Sequence, residues 1–161
     1  MSLLLTLAVA GCGGGGGSTI GAEQRVRANG FSFSAPEGWK VKTSPISAVA
    51  APHGDDATLV AAYMLRTVKP YRASLWKAAA AELDRKTALL ATRLHGRVAS
   101  SSTTTVAESR ARQYVFDYGD KRARVTFFFR RRTEYELYCQ WPAKKSEPPA
   151  CAAQLDSFTP A

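Results

Sequence analysis

RARQYVFDYGDKRARVTFFFRRRTEYELYCQW, residues 110–141, is the stretch from which the fold can be read. Two alternating apolar and polar segments, Arg110 to Tyr118 and Lys121 to Arg130, flank Gly119-Asp120, and glycine in the first turn position favours a two-residue type II′ hairpin. Pairing Tyr118 with Lys121 sets Phe116 opposite Ala123 and Tyr114 opposite Val125 on one apolar face. The same pairing sets Asp117 opposite Arg122 on the other face, so both faces support one register. Arg130-Arg131-Arg132 then reads as the next hairpin tip. Thr133 to Trp141 follows with Tyr135, Leu137, Cys139 and Trp141 on one side and Glu134, Glu136 and Tyr138 on the other. The acidic side is expected to lie beside Arg124 and Arg130, turning part of the basic excess into cross-strand pairing.

Upstream, the period changes. In Ser74 to Leu94 the residues Leu75, Trp76, Ala79, Leu83, Thr87, Leu90 and Leu94 fall three or four apart, with Lys77, Asp84, Arg85 and Arg93 on the other side. This is an amphipathic helix, with Ser74 expected as its cap and Arg93, His95 and Gly96 matching C-terminal preferences. Phe31 to Ser34 and Trp39 to Lys42 alternate around Ala35-Pro36-Glu37-Gly38 and read as two short strands about a turn. Ile46 to Ala51 and Thr58 to Thr67 are further strands on either side of a Pro52 to Asp56 loop. The Ser and Thr run from Ser100 to Thr105 fits an edge strand or a loop. Downstream, Ser146-Glu147-Pro148-Pro149 opens a short terminal helix whose Cys151, Leu155 and Phe158 share a buried stripe.

The N-terminus reads as an address. Leu3 to Ala10 is an apolar run far short of the roughly 20 residues that span a bilayer. Val9-Ala10-Gly11-Cys12 after it resembles the bacterial lipobox, in which the cysteine is lipidated and becomes the first mature residue. The expected organisation is a signal peptide over 1–11, a lipidated Cys12 with a glycine-rich tether over 12–29, and a folded domain over 30–161. The alternative is an ordinary secretory signal cleaved after Ala10, leaving Cys12 a free thiol. No Lys or Arg precedes Leu3, which is compatible with a true start upstream of Met1. From Gly13 to Asn29 the tether's random-coil reach is about 20–25 Å. In an exported chain, Cys139 and Cys151 on inward faces of the last strand and helix are expected to form a disulfide.

The order of these elements, with Phe-x-Phe-x-x-Pro-x-Gly-Trp over Phe31 to Trp39, resembles the PsbP-like family, named for an extrinsic subunit of photosystem II. The resemblance covers about residues 30 to 158. It implies an α+β fold, an α/β/α sandwich around a central antiparallel sheet with one long helix and a short C-terminal helix. It also implies a non-catalytic binding or assembly role, without a functional residue that can be transferred to this chain. Combined with the lipobox, the chain looks most like the PsbP-like lipoproteins of actinobacteria.

Composition narrows function further. Lys and Arg number 22 against 13 Asp and Glu, a net +9, and hydrophobic residues at 45% exclude disorder over the whole length. Between residues 97 and 145 there are eleven basic and five acidic side chains. Arg122, Arg124, Arg130, Arg131 and Arg132 are therefore candidate contacts for an anionic ligand, a lipid headgroup or a wall polymer. Each basic residue near an anionic membrane is worth up to about 1 kcal/mol, within a Debye length of about 8 Å. No nucleophile elbow, phosphate-binding glycine loop or zinc-ligand spacing occurs, and His53 with Asp55 and Asp56 reads as a solvated turn. The expectation is a protein without catalytic residues, cofactor or metal, and without a nucleic-acid partner. It would be anchored by lipid on the extracytoplasmic face of the membrane and would contact an envelope protein or anionic polymer through its sheet face or its basic hairpins.

Overall fold

The computed structural model describes residues 21–54 and 57–161; Cys12, the signal segment, the start of the tether, Asp55 and Asp56 lie outside them. The element order is β1 (Glu23–Ala28), β2 (Phe31–Pro36), β3 (Lys40–Thr43), β4 (Ser47–Ala51), β5 (Leu59–Arg66), α1 (Trp76–Arg93), β6 (Gly96–Val106), β7 (Ser109–Tyr118), β8 (Lys121–Arg130), β9 (Thr133–Pro142), α2 (Pro149–Ser157) and β10 (Thr159–Pro160). The strands form a seven-stranded antiparallel sheet in the order β3-β4-β5-β9-β8-β7-β6, and a three-stranded sheet, β1-β2-β10.

The β7–β8 register is the expected one, with Tyr118 opposite Lys121, Phe116 opposite Ala123, Tyr114 opposite Val125 and Asp117 opposite Arg122. Gly119 has a φ of 54° and Asp120 stays out of the positive region, the pattern of a type II′ turn. Side chains alternate across the sheet, so Arg122, Arg124, Thr126 and Phe128 share one face with Leu137, Cys139 and Trp141. The small sheet and α2 cover that face. Phe31 of β2, Phe128, Tyr135 and Phe158 interlock there with ring centroids 5.0 to 6.5 Å apart. Aromatic pairs of this kind add about 0.5–1.5 kcal/mol each beyond the area they bury. The cluster holds the small sheet on the large one.

The other face carries α1. Leu83 and Ala91 pack with Tyr114, Phe116, Val125 and Phe127, and the Tyr114 hydroxyl donates to Asp84 at 2.6 Å. Arg112 reaches the same carboxylate at 2.9 Å. The buried stripe is narrower than the periodicity predicts: Leu75, Leu90 and Leu94 remain exposed, because α1 packs mainly on β6 and β7.

Several expectations are corrected. Glu23–Ala28, assigned to the tether, is strand β1, paired along its whole length with β2. The Phe31 and Trp39 strands are not partners; they lie in different sheets. Ser74 does not cap α1; a single 3-10 turn, Ala73–Leu75, precedes the helix and Leu75 occupies the cap position. His95, with φ 51°, is the left-handed residue after α1, while Gly96 is needed because a Cβ there would overlap the Asp117 carbonyl. Residues 100–105 form part of the edge strand β6.

Proline at the first position starts α2, which buries Cys151 and Gln154. Gln154 Nε2 donates to the Ala61 carbonyl at 2.6 Å, and Cys151 is bonded to Cys139 with Cα atoms 5.5 Å apart. Closing a loop of 12 residues contributes roughly 3 kcal/mol in the chain-entropy account. Urea unfolding of the Cys139→Ser/Cys151→Ser variant is expected to show a stability lower by about 3 kcal/mol, and adding a reductant to the parent protein should reproduce most of that loss.

Candidate functional site

Where strands β5, β8 and β9 end together, a cleft of about 400 Å³ opens, lined by Asn29, Gly30, Met64, Arg66, Arg130, Arg131, Arg132, Thr133, Tyr135 and Ala161. Its geometry follows from strand register. Arg66 and Arg130 are both paired with Thr133, one from each neighbouring strand, so they flank it on the same face. Thr133 and Tyr135 are buried and form the floor, and the Tyr135 hydroxyl donates to the Gly30 carbonyl at 3.3 Å. Burial pushes the Tyr135 hydroxyl pKa up, while nearby Arg130 and Arg66 pull it the other way. Gly30 has a φ of 93°, a conformation that favours glycine, and a Cβ there would lie 2.7 Å from the flexible end of Met64, at Sδ.

The turn bearing the remaining arginines is clamped. The Tyr71 amide donates to the Arg131 carbonyl at 2.6 Å and the Thr67 amide to the Arg132 carbonyl at 2.9 Å. Arg131 has a φ of 55°, close to the 54° of Gly119 at the equivalent position of the β7–β8 turn. For a residue with a Cβ that conformation costs about 1–2 kcal/mol.

The five arginines expected to act together divide. Arg122 pairs with Asp117 at 2.6 Å, sharing it with Arg97, and these guanidinium groups hold the Asp117 carboxyl below its usual range. Arg124 is largely buried beside Glu147 at 2.5 Å. Neither lines the cleft. Arg130, Arg131 and Arg132 do, and among the described residues they form no ion pair or side-chain hydrogen bond; neither does Arg66. Four arginines thus line one hollow. Arg66 escaped the sequence reading because its partner strand, β9, is about 70 residues away; its place at the end of an alternating segment was the available signal.

The acidic side of β9 does not meet Arg124 or Arg130 as expected. Glu134 and Glu136 pair with Phe129 and Phe127, and so lie on the opposite face from both arginines. His53 and His95 are exposed. His95 shares a surface hollow with Asp117, whose carboxylate is engaged by arginines, and Asp55 and Asp56, the acids nearest His53 in sequence, lie outside the described residues. Among the described residues no group of three His, Cys, Asp or Glu is close enough to hold a metal.

No family model matches the chain, and neither does any curated protein. Solved structures do. The solution structure of cyanobacterial PsbP (CyanoP) from Synechocystis sp. PCC 6803 superposes with a TM-score of 0.63 at 11% identity, covering 93% of this chain and 99% of that one. A crystal structure from Bacteroides thetaiotaomicron VPI-5482 superposes with a TM-score of 0.53 at 12% identity, covering 81% of this chain and 45% of that one. The chain therefore has a PsbP-like α+β fold.

Glu134 and Glu136 stand on the α1 face of the sheet, partly buried, with burial raising both carboxyl pKa values and the Glu134 charge raising that of Glu136 further. Lys86 moderates the effect at Glu134. A carboxyl raised in the folded state favours folding while protonated and opposes it once ionised. Glu136→Gln is expected to raise the melting temperature at pH 7, and the gain should vanish as pH falls below about 4, where the unfolded chain's carboxyl is protonated too. Thermal melts at both pH values check the sign.

Proposed function

We propose that this is a non-catalytic, lipid-anchored extracytoplasmic domain that binds an anionic component of the cell envelope through the arginine cleft. The single observation that carries the reading is the convergence of Arg66, Arg130, Arg131 and Arg132 on one hollow with no acidic side chain among the described residues lining it. Elsewhere in the sheet four arginines meet carboxylates: Asp117 for Arg97 and Arg122, Asp84 for Arg112, Glu147 for Arg124. Four like charges left together repel one another and are stabilised when an anion enters.

The direction of β1 favours one kind of anion. Glu23 begins β1 beside Pro36, while Ala28 ends it beside Phe31, next to Asn29 and Gly30 of the cleft. The strand has six residues, about 20 Å, so the chain enters the domain at the end away from the arginines. With Cys12 in the membrane, the cleft would face away from it, toward wall polymer rather than the lipid that holds the anchor.

The test uses the full chain carrying Cys12→Ser, sedimented with purified cell wall and, separately, with vesicles of phosphatidylglycerol. Retention on wall is expected at low salt, falling as the Debye length shrinks from about 10 Å at 0.1 M to 3 Å at 1 M. It should be lost in the Arg130→Ser/Arg131→Ser/Arg132→Ser variant. Equal retention of that variant overturns the reading, and arginine-dependent sedimentation with vesicles alone transfers it to lipid headgroups.

A further inference from the structure

We propose that the arginine cleft is a discrete site for one phosphoryl-bearing group, a phosphate ester or diphosphate, and that Arg131 keeps its left-handed backbone because its guanidinium serves that ligand. This rests on the reading of the cleft as an anion site and specifies its chemistry and stoichiometry. A diffuse basic surface needs no hollow, whereas this one has a cavity of about 400 Å³ with a polar floor and a fixed rim. The volume suits a phosphoryl group together with part of the molecule that carries it.

Charge chooses the ligand class. A guanidinium presents a planar fork that matches either a carboxylate or a phosphate, but a lone carboxylate brings one charge and two oxygens. Four guanidinium groups around one hollow exceed what it can satisfy. A phosphoryl group offers three terminal oxygens and up to two charges, and a diphosphate more. Arg66 on β5 and Arg130 on β8, the two strands that flank β9 on either side of Thr133, can reach one such group from both flanks. Thr133 and Tyr135 form the floor between them.

The backbone at Arg131 supplies a separate argument. The two hairpins β7–β8 and β8–β9 both turn on two residues with positive φ at the first, and one uses glycine where the other uses arginine. Glycine at 131 would relieve strain without disturbing the amides of Thr67 and Tyr71, which bond only to carbonyls of the turn. His95, Ala107 and Glu108 also have positive φ, but none of them lines this cleft. Strain kept where it delivers a charge to an unpaired cluster points to a ligand.

Arg131→Gly therefore separates folding from binding. Thermal melts are expected to show a rise of about 2–4 °C for the variant. Calorimetric titration of the full chain in nonionic detergent, at constant ionic strength, should give saturable 1:1 binding of inorganic pyrophosphate. Citrate, which has comparable charge but only carboxylates, should bind more weakly. Arg131→Gly should weaken pyrophosphate binding by about tenfold or more, the range for loss of a charged hydrogen bond. The proposal is overturned if pyrophosphate gives no saturable binding, if citrate matches it, or if Arg131→Gly binds as the parent does. Absence of pyrophosphate binding alongside arginine-dependent wall retention refutes the discrete site and leaves the envelope reading intact. Pyrophosphate binding without wall retention supports the site with a diffusible phosphate ester as its ligand, and removes the envelope reading instead.

Discussion

A slip of one residue at Gly119-Asp120 would turn β8 over. Phe128 and Thr126, both fully buried against the small sheet, would exchange faces with Phe127 and Val125, and Arg122, Arg124 and Arg130 would move beneath α1. Asp117, Glu147 and the aromatic cluster of Phe31, Tyr135 and Phe158 would then all lose their partners on β8. The turn is thus the constraint from which the layers follow. With it fixed, one face can take the small sheet and α2, and the other α1. The disulfide then ties α2 to the strand paired with β8.

The same register sorts the arginines by position along the strand. Near the β7–β8 turn and mid-sheet, neighbouring elements bring carboxylates: Asp117 on β7, Asp84 on α1, Glu147 before α2. At the far end, the neighbours are Arg66, Asn29, Gly30 and the chain's last residue, and no acidic side chain arrives. Functional potential here comes from where pairing stops, since the local composition of the basic stretch is similar along its whole length. The β9 end of the α1 face differs in kind, with two partly buried carboxylates that form no ion pair within 4 Å among the described residues.

Local signals carried much of this to the reader of the sequence. The β7–β8 register, a helix within Ser74 to Leu94, the inward cysteines and the arginine tip all depend on spacing within one or two elements, and all are found, the helix with its start shifted to Trp76. What depended on distant packing was hidden. β1, Glu-Gln-Arg-Val-Arg-Ala, buries only Val26 and shows no alternation strong enough to lift it out of a tether. Phe31 and Trp39 look like strand neighbours, yet which sheet each joins is decided by the aromatic cluster beneath. Gln154 reads as a polar helix residue until α2 sets it against the Ala61 carbonyl. The cleft was half visible: the arginine tip is contiguous, but Arg66 arrives only through the β5–β9 pairing.

The small sheet also decides how the domain would bear a load. β1 is an edge strand bonded to β2 through six consecutive paired positions, and it runs from its entry at Glu23 toward the arginine end. Tension between the chain ahead of Glu23 and a ligand held in the cleft acts along that ladder. All six positions resist together in shear, whereas a pull across the strands would peel them one at a time. A pull applied between Glu23 and the cleft would therefore load this ladder in shear.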